Sequence, residues 1–386
     1  MQCDYFDAGD CRSCTLMGTG YAAQLARKQA GVAEVLGAHV PDRAWLGAQD
    51  SRESAFRNKA KLVVGGRKGA PTLGILDANG RGVDLRHCGL HEEPLHQAVL
   101  RVADLVAGSG LTPYDVTARQ GELKHVLLTL SPDGELMARF VLRSPGQLPR
   151  VRELLDPLAA AVPGSRVVSV NVQPAHKAVL EGEEEIVLTP ERTLPMRVNG
   201  LTLHLGTRSF FQTNTAVAAA LYRQVAGWVE EIDPTSVADL YCGVGGFALH
   251  CAGGGRGPAT ARSVLGIEVG PEAVASAELS ARELGVSDWV RFVAADAMTY
   301  LEQAVRDGKP APEAVVVNPP RRGIGPRLAA WLEGSAAQHL VYSSCNASSL
   351  AADLTRMPSW QVDRARLFDM FPQTDHHEVA VLLSRR

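Results

Sequence analysis

The hydrophobic rhythm of the chain changes near residue 200. Before that point short runs of period two dominate. Val63-Val64-Gly65-Gly66 and the alternation through Leu73 and Ile75 predict strands separated by glycine turns. The apolar runs His125–Leu130 and Leu136–Arg143 are joined by Ser131–Glu135, whose Asp133-Gly134 pair signals a hairpin. Helical patterns cover residues 15–37, with Gly37 as a stop, then 93–109 and 151–162. Residues 167–173 read as a strand, and the acidic stretch 181–188 as a solvated turn into another.

After residue 200 strands and helices alternate. The pattern predicts strands ending near Tyr241, Glu268, Asp296, Asn318 and Cys345, with helices between them and a closing pair over 361–370 and 376–384. Ala314–Val317 and His339–Tyr342 are uninterrupted apolar runs, as a parallel sheet covered on both faces requires. The prediction is a doubly wound α/β domain over 201–386, preceded by an α+β domain over 1–200.

Composition narrows the class. Hydrophobic residues make up 46% and charged residues 21% of 386, so disorder is excluded as the main state. No run of about 18 apolar residues is present. The first residues lack a basic stretch followed by an apolar one, so a soluble cytoplasmic protein is expected. The net charge of −3 argues against coating nucleic acid through bulk charge, and leaves a local basic patch open. One such patch lies between Arg52 and Lys68. On a strand Arg57, Lys59 and Lys61 would share a face, as a phosphate track or as a lysine-protected edge. Phe56 beside them would either stack on a base or pack in a core.

Seven cysteines, an odd number, speak against a disulfide framework. Cys3, Cys11 and Cys14 crowd the first fourteen residues, and Cys88 is the natural fourth partner from further along. Four thiolates suit a structural zinc or an iron–sulfur cluster, and four unliganded thiols are the remaining alternative.

The first strand of the α/β half runs into a glycine loop, Asp239–Ala248, where backbone can approach a ligand closely. Glu268 ends the next strand, where a carboxylate can hold both hydroxyls of a ribose. Asp296 ends the third and can take the adenine edge. NAD and S-adenosylmethionine both offer these groups. Asn318-Pro319-Pro320-Arg321-Arg322-Gly323 tips the balance: a stiffened loop with an amide at a strand end suits a methyl donor and a nucleobase, and hydride transfer has no need of it.

Ser343-Ser344-Cys345-Asn346 places a thiol at the end of the fifth strand. C5 of uracil is a poor nucleophile until a thiolate adds at C6. C5 can then attack an electrophilic methyl, and a base must remove its proton. Cys345 fits the first role and Glu378 of His376-His377-Glu378 the second. Cys242 is a poor alternative, because the glycine loop would hold it.

These motifs resemble those of the RNA uridine-C5 methyltransferases, in particular the bacterial enzymes that modify a hairpin-loop uridine of 23S ribosomal RNA. The resemblance runs nearly end to end, through AFRNKAKLVV, LTPYDV, GELKHVLL, SFFQTN, DLYCGVGGF, VNPPRRGIG, YSSCNA and LFDMFPQTDHHEV. It implies that Cys3, Cys11, Cys14 and Cys88 hold a [4Fe-4S] cluster. It also implies that Gln212, Tyr241, Glu268 and Asn318 contact S-adenosylmethionine, that Cys345 is the nucleophile, and that Glu378 is the proton acceptor. Gly243 of the glycine loop is expected to bind the same cofactor. Tyr241 stands where relatives often carry Phe. Residues 253–262 look like an insertion.

Among subfamilies, the transfer-RNA enzyme lacks the cysteine set. A second ribosomal-RNA enzyme carries an extra N-terminal β-barrel, for which Cys3 leaves no room. The expected substrate is therefore 23S rRNA, with no membrane and no obligate protein partner. A different rRNA uridine, a tRNA T-loop uridine or, further off, an NAD-dependent oxidoreductase are the alternatives.

Overall fold

The computed structural model describes residues 1–177, 179–253 and 261–386, so most of the expected insertion (254–260) lies outside the described residues. The chain divides into two compact units, Met1–Met17 with Arg52–Arg197, and Gly18–Ser51 with Val198–Arg386.

The first unit is built on an open sheet of seven strands: β1 (Lys59–Arg67), β2 (Ala70–Leu76), β3 (Gly82–Asp84), β4 (Leu123–Leu130), β5 (Leu136–Leu142), β6 (Ser165–Val172) and β7 (Glu184–Val187). Their order is β3-β2-β1-β4-β5-β6-β7. All neighbours are antiparallel except β5 and β6, which run parallel and need the helical crossover between them. Helix Glu93–Gly108 covers one face, burying Val99, Val102 and Val106 against Leu62, Val64, Val126 and Leu128. The sheet's alternation thus puts Ala60, Leu62 and Val64 into a core and turns Lys59, Lys61 and Val63 to the other face. The helix expected over 151–162 is two shorter ones, Leu148–Glu153 and Leu155–Ala161.

Strands β8 (Thr193–Val198) and β9 (Leu201–Gly206) form a two-stranded sheet. The second unit then adds β10 (Ser236–Leu240), β11 (Ser263–Glu268), β12 (Val290–Ala294), β13 (Ala314–Val317), β14 (His339–Ser344), β15 (Trp360–Phe368) and β16 (Glu378–Arg385). The order is β12-β11-β10-β13-β14-β16-β15. The first five are parallel and β16 is antiparallel to both neighbours. This is the doubly wound sheet the alternating pattern predicts. Helix N-termini above it are capped by side chains: Asn214 accepts from the Val217 N–H, Asp296 from Thr299 and Asn346 from Ser348.

Helix Tyr21–Leu36 belongs to the second unit, although a single division at residue 200 assigns it to the first. Its buried face ends in Val32 and Leu36, which join a core with Leu350 and Leu354. Its other buried positions are Gln24 and Lys28, and polar residues at core-facing positions conceal where the helix packs. Among the described residues no helix is long and apolar enough to cross a membrane.

Candidate active site

The site is assembled at the carboxyl ends of the parallel strands, where an open α/β sheet leaves its crevice. After β10 the chain turns sharply. Tyr241 adopts φ 66°, a conformation unfavourable for a side chain, and is held there by N–H bonds from Tyr241 and Cys242 to the Ile267 carbonyl. Gly243 follows at φ 54°, and a Cβ placed there would meet nothing within 4 Å, so the loop's outer surface is open. On the inner side Gly245 and Gly246 press on Phe292 and Tyr222, with room for no side chain.

Glu268 ends β11 beside this opening. One carboxylate oxygen accepts from the Gly243 N–H (3.2 Å) and the other from the Gly270 N–H (2.9 Å). Beneath the loop Asp239 is fully buried. Its Oδ2 accepts from the Ala248 N–H at 2.8 Å, while Oδ1 has no hydrogen-bond partner among the described residues. Burial, with the Ala248 bond opposing it, pushes this carboxyl up to about 8. Asp296 is exposed, and its Oδ1 is committed to capping, accepting from both the N–H and the hydroxyl of Thr299. Its charge still bears on Tyr241, whose half-buried hydroxyl is raised mainly by burial. Gln212 is buried on the segment before helix Thr215–Ile232. The hydroxyls of Ser209 and Thr213 around it are buried with no hydrogen-bond partner among the described residues. These unsatisfied groups and the open face at Gly243 fit a polar ligand that brings its own donors and acceptors.

The second cluster lies on β13, β14 and β16. Antiparallel pairing sets Ser344 against Val379 and Ser343 against Ala380, which brings the start of β16 beside the end of β14. Glu378 is buried there. Asn318 Nδ2 (2.8 Å) and Ser343 Oγ (2.6 Å) both donate to its Oε1, leaving Oε2 without a hydrogen bond among the described residues. Burial pushes the carboxyl up to about 7 against the pull of those two donors. Cys345 is half-buried next to it. Burial and the Glu378 charge raise the thiol, and the Arg321 guanidinium opposes them. Arg321 is itself tied to the site, its Nη2 lying 3.1 Å from His376 Nδ1 and its carbonyl accepting from Asn346 Nδ2 at 3.0 Å.

Ser343 and Arg321 carry no role in the sequence reading, although both sit in quoted motifs. A third contribution comes from far upstream. The buried Lys28 ammonium meets Asp369 Oδ1 at 2.6 Å and donates to the carbonyls of Phe371 (3.0 Å) and His376 (3.2 Å). Gln24 exchanges bonds with Gln373. The segment entering Glu378 is thus pinned by helix Tyr21–Leu36.

In the first unit Cys14, Phe56 and Leu90 form a small apolar nest, with Met1, Met17 and Cys88 against it. Burial pushes Cys14 up to about 11, helped by the charges of Cys88, Cys11 and Cys3. Cys88 is raised by burial, with Cys3 and Cys11 adding to it. Cys3 and Cys11 therefore lie within electrostatic reach of both Cys14 and Cys88. Among the described residues no group of three or more His, Cys, Asp or Glu side chains is arranged to hold a metal ion.

One expectation for RNA contact changes here. Phe56 is buried in the nest and offers no face for stacking. Arg57 precedes β1, and its charge acts on Cys14 and Cys88. Of that row Lys61 is exposed, and Lys59 is partly buried, which lowers its ammonium to about 8.

The family model for tRNA (Uracil-5-)-methyltransferase matches residues 184–386. The 23S rRNA (uracil(747)-C(5))-methyltransferase RlmC of Halothiobacillus neapolitanus is 47% identical over 386 residues, spanning 100% of both chains. The RlmC protein of Vibrio cholerae is 45% identical over 387 residues, again spanning 100% of both. Among solved structures, the Pyrococcus abyssi tRNA (uracil-54, C5)-methyltransferase in complex with S-adenosyl-L-homocysteine shares the fold. Its TM-score is 0.77 at 24% identity, over 96% of this chain and 85% of that one. The chain belongs to the tRNA (uracil-5-)-methyltransferase family.

Proposed function

We propose that the protein transfers a methyl group from S-adenosylmethionine to C5 of uracil-747 in 23S ribosomal RNA, the substrate printed in the names of its full-length relatives. The observation that carries the chemistry is the Glu378 carboxylate, held on one oxygen by Asn318 and Ser343 beside the Cys345 thiol.

S-adenosylmethionine, when bound, supplies the electrophilic methyl. Gly243 gives its backbone room, Glu268 is placed for the ribose hydroxyls, and Tyr241, Asp296, Gln212 and Asn318 complete the proposed contacts. The Cys345 sulfur adds to C6 of uracil, and the C5–C6 electron pair moves toward the C4 carbonyl. Arg321 opposes the burial and the Glu378 charge that disfavour the thiolate. C5 then takes the methyl. Glu378 Oε2 removes the C5 proton, C5–C6 closes again, and the sulfur leaves with its electron pair. A carboxyl near 7 is poised for this, since it is ionised in half the molecules at that pH and is a stronger base than an ordinary glutamate.

We further propose that Cys3, Cys11, Cys14 and Cys88 bind a [4Fe-4S] cluster in the cytoplasm. Support comes from Cys14 and Cys88 in one apolar nest, each feeling the charges of Cys3 and Cys11. Four cysteine thiolates would supply the ligands such a cluster needs. With every iron so closed, the cluster is structural or touches RNA and takes no part in methyl transfer. Anaerobically purified protein should contain iron and sulfide in equal amounts.

The test of the reaction is radiolabelled methyl transfer to a 23S rRNA hairpin bearing uracil-747 and, in parallel, to a tRNA T-loop. The proposal requires 5-methyluridine at uracil-747. Label found only in the T-loop overturns the substrate assignment.

A further inference from the structure

The face of the first unit's sheet that turns away from helix Glu93–Gly108 holds a cavity of about 430 Å³, within the range of ligand-binding pockets. Val63 of β1 and His125 of β4 are register partners on this face, and Leu76 of β2 closes one side. Tyr114, His176 and Lys124 provide the polar and aromatic wall. None of the residues lining the cavity is acidic.

Its chemistry is specific. Burial drives His125 down to about 4, so its imidazole is neutral and offers one donor and one acceptor. Among the described residues neither ring nitrogen of His125 has a hydrogen-bond partner. The Tyr114 hydroxyl lies 3.0 Å from His176 Nδ1 and fixes that second ring. The Lys124 ammonium sits 4.7 Å from the Tyr114 ring centre, bonded to Gln173 Oε1 and to the Ala175 carbonyl. Two of its three donors are therefore used inside the protein and one remains. Lys177, exposed, adds a second positive charge at the rim. Apolar walls and three rings suit a flat, weakly polar body. Two cations and no carboxylate suit an anion attached to it. A nucleotide has both parts.

Position agrees with chemistry. Lys59, Lys61 and Val63 alternate onto one face of β1, so the lysine row leads along the strand to the cavity. Single-stranded RNA is recognised by splaying bases into such pockets, with the polar edge hydrogen-bonded and the backbone on cations.

We propose that this cavity receives one unstacked nucleotide of the RNA substrate, distinct from the uridine that is methylated, with its base edge on His125 and its phosphate toward Lys124 and Lys177. The proposal rests on the RNA reading above, and the experiment separates the two. A hairpin bearing uracil-747 is prepared with 4-thiouridine at one position at a time, bound to the full-length protein and irradiated. Crosslinks from one loop position should map to residues 112–125 or 173–177. In parallel, hairpin affinity and methyl transfer are measured for His125→Leu and His125→Gln. His125→Leu should weaken RNA binding and raise KM by about 10-fold, the scale of one lost base contact, with kcat at saturating RNA unchanged. His125→Gln, which keeps a donor and an acceptor, should restore most of it. S-adenosylhomocysteine affinity should be equal in all three proteins, and resistance of residues 52–197 to limited proteolysis should match the wild type, which reports that the first unit of the variants is folded. Crosslinks confined to other peptides, or RNA affinity and KM unchanged in His125→Leu, overturn the cavity assignment while wild-type methyl transfer stands. Wild-type protein that transfers no methyl, yet binds RNA in a His125-dependent way, overturns the catalytic reading alone and supports the cavity.

Discussion

The two units use their sheets in opposite ways. In the second, chemistry sits at strand ends. Tyr241, Glu268, Asn318 and Cys345 each follow or finish a parallel strand, and Glu378 opens the antiparallel strand that runs back beside them. In the first, chemistry sits on a face and in a nest: His125 and Lys61 on one side of an antiparallel sheet, and Cys14 with Cys88 brought together from Met1–Met17 and the turn after β3. Parallel strands must be linked by crossovers, so all their carboxyl ends open on the same side and their loops converge without any further device. An antiparallel sheet offers no such focus, and function depends on which face is left uncovered.

The largest expected effects fall at the strand-end site. Cys345→Ala should lower kcat by about 10⁴-fold or more, since no other group can add to C6, with S-adenosylhomocysteine and RNA affinity kept. Measurable turnover in that variant would move the nucleophile elsewhere. Glu378→Gln should lower kcat by about 10²–10⁴-fold and let the covalent RNA adduct accumulate, because the proton on C5 has lost its acceptor.

The Glu378 carboxyl also sets two pH dependences of opposite sense. It must be ionised to accept a proton, so kcat should rise with pH through about 7. Its folded value lies above its ordinary 4.5, so the folded state holds the proton more tightly than the unfolded chain. That stability is complete below about 4.5 and is lost as pH rises through about 7. Chemical denaturation at pH 8 should then find Glu378→Gln more stable than the wild type, by an amount that vanishes at pH 4.

An intermediate effect is expected at the brace. Lys28→Met leaves Asp369 buried without its cation and should cost about 3–5 kcal/mol of unfolding free energy. Because Lys28 also holds the Phe371 and His376 carbonyls, kcat should fall with it. Cys88→Ala sharpens the contrast between units. Iron content and the stability of the first unit should drop, while S-adenosylhomocysteine affinity, measured by calorimetry, stays that of the wild type. The smallest effect belongs to Lys61→Ala: uniformly weaker RNA binding, with the slope of log affinity against log salt reduced by about one.

Legibility in the sequence follows the same division. The parallel sheet announces itself, because Ala314–Val317 and Leu340–Tyr342 are buried on both faces and each strand is followed by a polar loop. The residues at those loops could be named from local order alone. Ser343 could not, because its hydroxyl reaches Glu378 only through the pairing of β14 with β16. Helix Tyr21–Leu36 hid its destination for a related reason: Gln373, which Gln24 meets, and Asp369, which Lys28 meets, each lie more than 340 residues away. In the first unit alternation showed that Lys59 and Lys61 share a face, but not that Phe56, just before the strand, packs beside Cys14. The cavity around His125 left no local signature, since β1, β2, β4 and two loops meet to form it.

The central claim is that Cys345 adds to C6 of a uridine before the methyl arrives. It is tested most directly with a hairpin carrying 5-fluorouridine at the uracil-747 position, radiolabelled S-adenosylmethionine and the wild-type protein. Fluorine cannot leave as a proton, so Glu378 has nothing to remove and the complex should stall as a methylated covalent adduct, stable to denaturation and absent from Cys345→Ala. Free methylated RNA with no adduct, or an adduct that persists in Cys345→Ala, would contradict the account.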